Sequence, residues 1–306
     1  MNFGLTEDQS GILAGLEQLL ASKAPAAPTE PVFAAYAADL DKAIAAAGFL
    51  DIAREEGFGP LEAALIVERI TRLPCSIEAA ASALVAPALP IPQGTRPIAL
   101  VSGDGSKAAR FLPMAELLVV DRGDDALLIR VDPDNVAPVE TLFAYPYGRL
   151  KSLENLEQTV VSDVAGLRRR WRIAIAAEAA GCMASALALV IDHVKTRQAF
   201  GRPLGAFQAI QHRLAMASET AESAKWLALR AAWSDTDADA AIAAGFAQSR
   251  IAQITYDLHQ FSGAMGLTLE FPLHLWTYRL RALAGELGGS GAQSRTAAAA
   301  AWPDVA

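Results

Sequence analysis

The stretch TRQAFGRPLGAFQAIQHRLA, residues 196–215, decides the fold of this chain. Two arginines, Arg197 and Arg202, flank an aromatic residue and a glycine, and a glycine-proline break follows. A helical pattern that carries Gln208 and Gln211 begins after the break. Glycine allows the backbone to turn and to approach another group closely. The segment therefore predicts a turn between two helices, and the question is what a polar and aromatic cluster holds in so apolar a chain.

The composition favours a large helical protein. With 306 residues the chain is long enough for two or three packed layers around a sizeable core. Hydrophobic residues make up 53% and charged residues 20%, and alanine dominates over aromatic residues. Such a balance favours closely packed helices over sheets. The net charge of −8 makes nucleic acid an unsuitable partner.

Cysteine and histidine usage gives no metal or disulfide pattern. Cys75 and Cys182 are the only cysteines, which is consistent with a reducing cytosol. The N-terminus MNFGLTEDQS lacks a basic region before its first apolar run, so we expect no signal peptide and a cytoplasmic protein. The histidines show no metal-ligand spacing with one another. They are His193, His212, His259 and His274.

One apolar segment has the length of a membrane span. It is RRRWRIAIAAEAAGCMASALALVIDHVK, residues 168–195. Lipid-facing spans are usually richer in Leu, Ile and Phe. This segment is mostly alanine, and it contains Glu178 and Gly181. We therefore expect no membrane span here, but a helix buried on nearly all sides of a bundle.

The pattern along the chain changes twice. Helical patterns come first, then a proline-rich boundary at 87–97, short apolar runs separated by Asp- and Gly-containing turns, and finally long helical patterns. The predicted N-terminal helices cover 6–22, with Thr6 as N-cap, 32–48, 60–72 and 76–87. The predicted strands are PIALVS, ELLVVD, ALLIRV and NVAPVET. The predicted C-terminal helices cover 164–198, 204–234, 236–263, 270–287 and the tail after Gly291.

These patterns predict a mainly α fold with a small central β domain. We divide the chain into an N-terminal helical domain (1–92), a reduced middle β domain (93–150) and a C-terminal four-helix bundle (151–306). Dinucleotide-binding G-x-G-x-x-G, Walker and H-E-x-x-H motifs are absent from the sequence.

Two sequence blocks resemble the acyl-CoA dehydrogenases. The first matches the family pattern R-x-x-F-G followed by F-Q. Its residues here are Arg197, Phe200, Gly201, Arg202, Pro203, Leu204, Phe207, Gln208, His212, Arg213, Leu214 and Ala215. The second matches Q-x-x-G-x-x-G with a following glutamate, and comprises Gln260, Gly263, Gly266, Thr268, Glu270 and a helix that bears Arg279. The order of helical, β and helical parts matches the family over nearly the whole chain.

The resemblance implies that the first block holds the ADP half of an FAD whose flavin belongs to a neighbouring subunit. A guanidinium such as that of Arg197 can bind phosphate oxygens in a bidentate geometry. Phe200 offers a flat face to an aromatic ring, and Gly201 lets the backbone approach closely. The FAD-contacting residues that the resemblance implies are Arg197, Ala199, Phe200, Leu204, Phe207, Gln208, Ile210, Gln260 and Gly263.

Each of these residues also has a purely structural interpretation. Arg197 can cap the carbonyls at a helix C-terminus, and Gln208 can satisfy buried backbone. Gly263 and Gly266 can be turn glycines that end a helix. Phe200, Leu204, Phe207 and Leu214 can be core contacts. His259 and His274 fit a structural role better than a catalytic one.

The sequence departs from the family at two places. The middle β part is short and lacks the tryptophan-containing segment that backs the flavin ring. The carboxylate that removes the α-proton of the acyl-CoA is also missing. At the two positions where family members place it, this chain has Gly288 and Trp171.

Two glutamates are weak candidates for a displaced base, and the catalytic residue stays unknown at this point. On a continuous helix Glu286 lies about 200° around the axis from Gly288, and Glu178 lies about 10 Å along the axis from Trp171. Glu178 fits better as a packing partner for a nearby arginine.

A short chain with the FAD clamp but without flavin seat and base resembles the shorter subunit of a heterotetrameric acyl-CoA dehydrogenase. The resemblance implies an acyl-CoA substrate, such as a steroid side-chain CoA ester, a longer acyl-CoA dehydrogenase subunit as partner, and electron-transfer flavoprotein as electron acceptor. Two alternatives stay open: a self-sufficient homo-oligomeric dehydrogenase with a displaced base, and a non-catalytic scaffold partner.

Overall fold

The described residues of the N-terminal part form three α-helices, one 3₁₀-helix (Phe49–Arg54) and a run of π- and 3₁₀-helix over 81–88. A computed structural model describes residues 4–24, 36–154 and 156–302 of the chain. The helices are α1 (Glu7–Lys23), α2 (Ala38–Ala46) and α3 (Pro60–Thr71). As predicted, Thr6 caps α1, in a reciprocal pair of bonds with Gln9. The start of the predicted helix 32–48 lies outside the described residues, and the predicted helix 76–87 is a short π- and 3₁₀-helical run over 81–88.

The central part holds two small sheets. The order in the larger sheet is β1–β3–β4–β7, with β1 parallel to β3 and the other pairs antiparallel. The order in the smaller sheet is β2–β6–β5. The strands are β1 (Ile98–Ser102), β2 (Ala109–Arg110), β3 (Leu117–Asp121), β4 (Ala126–Arg130), β5 (Val136–Val139), β6 (Tyr147–Leu150) and β7 (Gln158–Val161).

Three of these strands were not predicted, namely β2, β6 and β7. Strand β7 pairs with β4, so the larger sheet extends past residue 150, where we placed the end of the β domain. The division into three domains stays a prediction, with its second boundary better placed between β7 and the helix that follows.

The C-terminal part is a helical bundle around one long helix. Helix α4 packs against α5, α6 and α7, and α6 also packs against α5 and α8. A small hairpin, β8 (Gln198–Ala199) with β9 (Arg202–Pro203), joins α4 to α5. The helices are α4 (Val164–Thr196), α5 (Gln208–Ser234), α6 (Asp237–Ser262), α7 (His274–Leu283) and α8 (Gly289–Ala301). The predicted fold class, mainly α with a small β part, is confirmed.

Helix α4 lies in the core of the molecule. Among the described residues it is the one helix long and apolar enough to cross a membrane, but 78% of its most apolar window is buried by the rest of the fold. Its small residues allow close helix packing. A Cβ on Gly181 would lie 2.1 Å from the Thr71 hydroxyl of α3, so only glycine fits there. These contacts explain the alanine-rich sequence of α4 as core packing.

Candidate functional site

The quoted stretch forms a tight hairpin between α4 and α5. The two central residues of its turn, Phe200 and Gly201, both have positive φ angles, 52° and 77°. Two-residue hairpin turns need this left-handed geometry, which glycine adopts freely and phenylalanine does not. Together with Arg197 we call this segment, residues 197–203, the Arg197 hairpin.

The aromatic residues of the hairpin lie at the surface. The Phe200 side chain is 92% exposed, which rules out the interpretation of Phe200 as a core residue. Its ring meets Phe207 edge-on, with 6.1 Å between ring centroids. The Arg202 guanidinium lies 4.1 Å from the centroid of the Phe207 ring. The chain therefore holds an aromatic ring out of the core at the expense of backbone strain.

The guanidinium of Arg197 has no partner among the described residues. Its backbone N–H donates to the carbonyl of His193 (2.8 Å), and its carbonyl accepts from the N–H of Leu204 (2.9 Å). The backbone thus caps α4, and the exposed side chain has no hydrogen bond or ion pair within residues 4–24, 36–154 and 156–302. The expected alternative, in which the guanidinium itself caps the helix, is not what the structure has.

The two sequence blocks meet at one cavity of about 380 Å³, which we call the clamp cavity. Five of the residues predicted to contact FAD line it: Arg197, Leu204, Ile210, Gln260 and Gly263. The other four lie on the Arg197 hairpin and at the start of α5: Ala199, Phe200, Phe207 and Gln208. The blocks are about sixty residues apart in sequence, so their convergence is a property of the fold.

A second constellation is buried between the β part and the bundle. Arg110 donates from Nη1 to both carboxylate oxygens of Glu178 (2.9 and 2.8 Å) and from Nε to Glu286 (2.7 Å). The Trp171 indole N–H donates to the other oxygen of Glu286 (2.7 Å), and the Tyr145 hydroxyl donates to Glu178. We call these five residues the Arg110 cluster.

Four separate segments supply this cluster, and its geometry corrects one expectation. Glu286 does not lie on a continuation of α7. The helix ends at Leu283, and Leu287 has a left-handed backbone with φ of 49°. The argument that helical rotation turns Glu286 away is therefore wrong, because this break directs its carboxylate to Trp171. Glu178 pairs with an arginine, as a packing partner is expected to do.

The cluster holds two carboxylates against one cation. Burial raises the pKa of Glu286, and the neighbouring Arg110 offsets this only in part. Burial alone would lower the pKa of Arg110, but Glu178 and Glu286 together hold it well above its ordinary value. Each carboxylate has both oxygens engaged by donors. The arrangement therefore stabilises charge internally and offers no free base.

Arg110 and Tyr145 were not identified from the sequence. Arg110 lies in the two-residue strand β2, and Tyr145 lies in an irregular segment before β6. The available signal was the buried Glu178 itself, because a carboxylate inside an alanine-rich helix requires a cationic partner.

Two further predicted residues are structural. The His259 ring nitrogens lie 2.8 Å from the carbonyl oxygen of Gly266 and 2.9 Å from the hydroxyl oxygen of Thr277, and burial lowers the pKa of this histidine. Arg279 is buried and donates to the carbonyls of Thr71, Leu73 and Cys75, which ties α7 to the end of α3. In the described ranges, no group of three or more His, Cys, Asp or Glu side chains is placed to hold a metal ion.

Comparison with known proteins relates these features to a family. Residues 169–301 match the model of the acyl-CoA dehydrogenase C-terminal domain. The acyl-CoA dehydrogenase IpdE2 of Mycolicibacterium smegmatis is 28% identical over 192 residues. The match covers 60% of this chain and 61% of that protein, so the chain spans about three fifths of the length of this curated relative.

Solved structures with the same fold cover almost the whole chain. A variant of the Tcur3481-Tcur3483 steroid ACAD has a TM-score of 0.78 and 20% identity, and covers 98% of this chain and 99% of that chain. The ChsE4-ChsE5 complex from Mycobacterium tuberculosis has a TM-score of 0.74 and 19% identity, and covers 96% and 97%. At these identities the likeness establishes the fold.

Proposed function

We propose that this chain, which resembles the acyl-CoA dehydrogenases in its fold and in its C-terminal region, is the shorter subunit of a heteromeric, FAD-dependent acyl-CoA dehydrogenase. The complex desaturates an acyl-CoA thioester between its α- and β-carbons. This chain contributes the clamp for the ADP half of FAD, and a longer subunit contributes the catalytic carboxylate.

One contrast carries this proposal. The guanidinium of Arg197 has no partner within the described part of the chain, whereas the carboxylates of Glu178 and Glu286 are both held by hydrogen bonds. Arg197 has a free guanidinium beside a cavity that the two family blocks share. Glu178 and Glu286 are both engaged by Arg110 inside the core. A general base has to reach the proton that it removes, and these carboxylates have no free oxygen for it.

The residues at the clamp cavity fit the ADP half of FAD. The guanidinium of Arg197 suits the pyrophosphate oxygens, and the exposed Phe200 ring suits the flat adenine. The small volume of about 380 Å³ accommodates a nucleotide portion rather than a whole dinucleotide. When bound, FAD would supply the acceptor for the hydride of the β-carbon, and Arg197 would position and neutralise its phosphates.

The substrate class and electron acceptor extend the same proposal. A solved structure of the same fold is described as a steroid ACAD, and another is a complex of two differently named chains. These neighbours support a steroid side-chain CoA ester as the substrate and a heterotetramer as the assembly. A further neighbour of the same fold is described as an electron transferring flavoprotein, which fits an electron-transfer flavoprotein as acceptor in a cytoplasmic pathway.

Co-expression with a longer acyl-CoA dehydrogenase encoded by a neighbouring reading frame tests the proposal. We expect the chain alone to purify with little FAD, and the complex to show flavin absorbance close to one FAD per heterodimer. Full FAD occupancy together with activity in the isolated chain would identify a homo-oligomeric dehydrogenase instead. A complex that stays colourless would identify a non-catalytic scaffold.

A further inference from the structure

The clamp cavity has a second residue that can carry positive charge. His193 lies one helical turn before Arg197 at the end of α4, and both residues line the cavity. The other described lining residues, from 204–210 and 260–265, are uncharged. Arg202 of the Arg197 hairpin is not among the lining residues, and its guanidinium lies over the Phe207 ring. The positive charge inside the cavity therefore depends on whether His193 is protonated.

The imidazole of His193 is available to a ligand. The side chain is half-buried, and its ring nitrogens have no hydrogen bond among the described residues. The ring packs edge-on against Phe271, with 5.2 Å between ring centroids, and this contact restricts its orientation. His259 and His274, on the neighbouring helices α6 and α7, each have a ring nitrogen engaged by a protein carbonyl. Of these three histidines, His193 is the one that lines the cavity with both nitrogens free.

The surroundings of His193 favour the neutral ring while the cavity is empty. Burial lowers the pKa of His193, and the positive charge of Arg197 lowers it further. Glu270, on the segment that packs against the ring, is exposed to solvent. Charged groups on the neighbouring elements are engaged elsewhere: Asp192 with Lys195 on α4, and Asp257 of α6 with Arg213 of α5.

The pyrophosphate of a nucleotide reverses this balance. A pyrophosphate diester carries two negative charges, whereas Arg197 supplies one positive charge. An anion close to an imidazole favours its charged form, and the C-terminal turn of α4 favours a cation as well. A protonated imidazole can donate from both nitrogens, so it adds a charge-assisted hydrogen bond beside the guanidinium of Arg197. Protonation of His193 on binding thus matches the charge of the cavity to that of the ligand.

We propose that His193 is a second phosphate-binding residue of the clamp, which binds the pyrophosphate as an imidazolium and makes nucleotide affinity rise as pH falls. This role rests on the proposed function, because it requires the ADP half of FAD to lie in the clamp cavity. It concerns the ADP half alone and leaves the flavin with the longer subunit.

The sign of the pH dependence follows from linkage between ligand and proton. A ligand that raises the pKa of His193 takes up a proton when it binds at a pH between the free and bound pKa values. Affinity therefore rises as pH falls through the pKa of the bound state, and it levels off below the pKa of the free state. Because burial and Arg197 lower the pKa of the free state, the rise should continue to the acidic side of neutral pH.

ADP-ribose is a suitable probe, because it carries the ADP half of FAD without a flavin and its pyrophosphate does not titrate near neutral pH. Calorimetric titrations of the full-length chain between about pH 6 and pH 8, the range in which histidine changes charge, give its dissociation constant. The variants are Arg197→Ala and His193→Gln, which keeps an N–H donor but cannot be protonated. Lys195→Gln is the matched control, since it removes a positive charge from the same helical turn outside the cavity.

For the wild-type chain we expect the dissociation constant of ADP-ribose to fall about 3- to 10-fold from pH 8 to pH 6, as one added charge-assisted contact allows. His193→Gln should bind like wild type at pH 8 and lose the pH dependence. Lys195→Gln should keep it, and Arg197→Ala should weaken binding at every pH. Adenosine, which has no phosphate, should bind with an affinity that does not change with pH.

NMR of the imidazole signals gives a second readout that packing alone would not move. The chain has four histidines, so the signals are few, and the one missing in His193→Gln belongs to His193. Saturation with ADP-ribose should raise the pKa of His193, and adenosine should not. An unchanged pKa of His193 in the ADP-ribose complex would overturn its role as a phosphate ligand.

The outcomes separate this role from the clamp itself. A wild-type affinity independent of pH, a pH dependence that survives in His193→Gln, or a loss of equal size at every pH in that variant would each overturn the role of His193 while the clamp stands. If His193→Gln acts as expected but Arg197→Ala leaves binding intact, the assignment of Arg197 fails and that of His193 stands. Absence of ADP-ribose binding at every pH would overturn both.

Discussion

The Arg110 cluster and the Arg197 hairpin use the same residue type in opposite ways. Arg110 is buried, and two carboxylates and two aromatic rings surround its guanidinium. Arg197 is exposed and is held in place by its backbone alone, with its guanidinium free of partners among the described residues. One arginine closes a site within the chain, and the other is available for a ligand from outside.

This difference distinguishes a charge that is part of the folded core from a charge that is available to bind a ligand. A buried ion pair contributes little to net stability, but the loss of one partner is strongly destabilising because it leaves an uncompensated charge. A free guanidinium at a cavity costs the fold almost nothing and gains its binding energy from the ligand. We therefore expect changes in the cluster to act on folding, and changes in the hairpin to act on FAD.

The largest expected effect lies outside this chain. Glu178→Gln and Glu286→Gln should each leave kcat of the assembled complex within a few-fold of wild type. The loss of the base carboxylate in the longer subunit should lower kcat about 10²- to 10⁴-fold, the usual contribution of general base catalysis. Steady-state kinetics on complexes with matched FAD content measure both. A thousandfold loss from Glu286→Gln, with FAD and acyl-CoA still bound, would make this chain the catalytic one.

Removal of the central cation should have the largest effect on folding. Arg110→Met leaves Glu178 and Glu286 buried without a counter-ion and should lower the free energy of unfolding by about 3–5 kcal/mol. The triple variant with Glu178→Gln and Glu286→Gln should recover much of this loss, since it removes the buried charges as well. Urea denaturation measures both variants. The control is Arg122→Met, which breaks an exposed pair with Asp125 and should change the free energy of unfolding far less, because solvent screens that pair.

The stability of Arg110→Met should depend on pH in a defined way. The pKa of Glu286 is already raised by burial, and the loss of Arg110 removes the charge that lowers it. A carboxyl group whose pKa is raised on folding contributes stability below its unfolded pKa, and this contribution is lost as pH rises through its folded pKa. The deficit of Arg110→Met relative to wild type should therefore shrink between pH 7 and pH 5. A deficit independent of pH would show that lost packing, rather than charge, causes the effect.

The parts of the fold that sequence predicts are those governed by local pattern. Helices α4, α5 and α6 follow from apolar periodicity, and Thr6 caps α1 as the sequence predicts. Strands β3 and β4 are likewise predicted from their apolar runs. Strand β2 has two residues, and only its pairing with a segment near residue 148 makes it a strand.

The residues of the candidate site likewise fall into those that a local sequence pattern identifies and those that only the fold brings together. The clamp residues belong to two compact sequence blocks, so a resemblance identified them. The Arg110 cluster joins positions that are 68 and 176 residues apart, and no local pattern connects them. Its geometry also depends on the left-handed Leu287, since a regular helix would direct Glu286 elsewhere.

The clamp itself should show an intermediate effect. Arg197→Ala should weaken FAD binding in the assembled complex by about 1.5–3 kcal/mol, or roughly 10- to 150-fold. Arg197→Lys should recover only part, because a point charge cannot reproduce the planar fork of donors. The free energy of unfolding should stay within about 0.5 kcal/mol of wild type, since the side chain is exposed. Arg230→Ala, an exposed arginine on α5, is the control; an unchanged FAD dissociation constant would make Arg197 structural.

The smallest effect is expected for a substitution of Phe200 at the tip of the Arg197 hairpin. The sign of the change in the free energy of unfolding is the informative result. Phe200 adopts a φ of 52° that glycine adopts without cost, whereas other residues lose about 1–2 kcal/mol there. Glycine loses more backbone entropy on folding, which offsets about 0.5–1 kcal/mol of that gain. Phe200→Gly should therefore leave the free energy of unfolding unchanged or raise it by up to about 1.5 kcal/mol, as measured by denaturant titration.

The same substitution should weaken FAD, because the exposed ring is lost as a stacking surface. A variant that is at least as stable as wild type but binds FAD less tightly would show that the strained conformation is retained for the ligand. Phe207→Leu offers a matched comparison, since Phe207 is partly buried beneath Arg202 and its loss should lower stability. If Phe200→Gly destabilises the chain while FAD binding is unchanged, the hairpin is a structural turn, and the contrast with the Arg110 cluster rests on Arg197 alone.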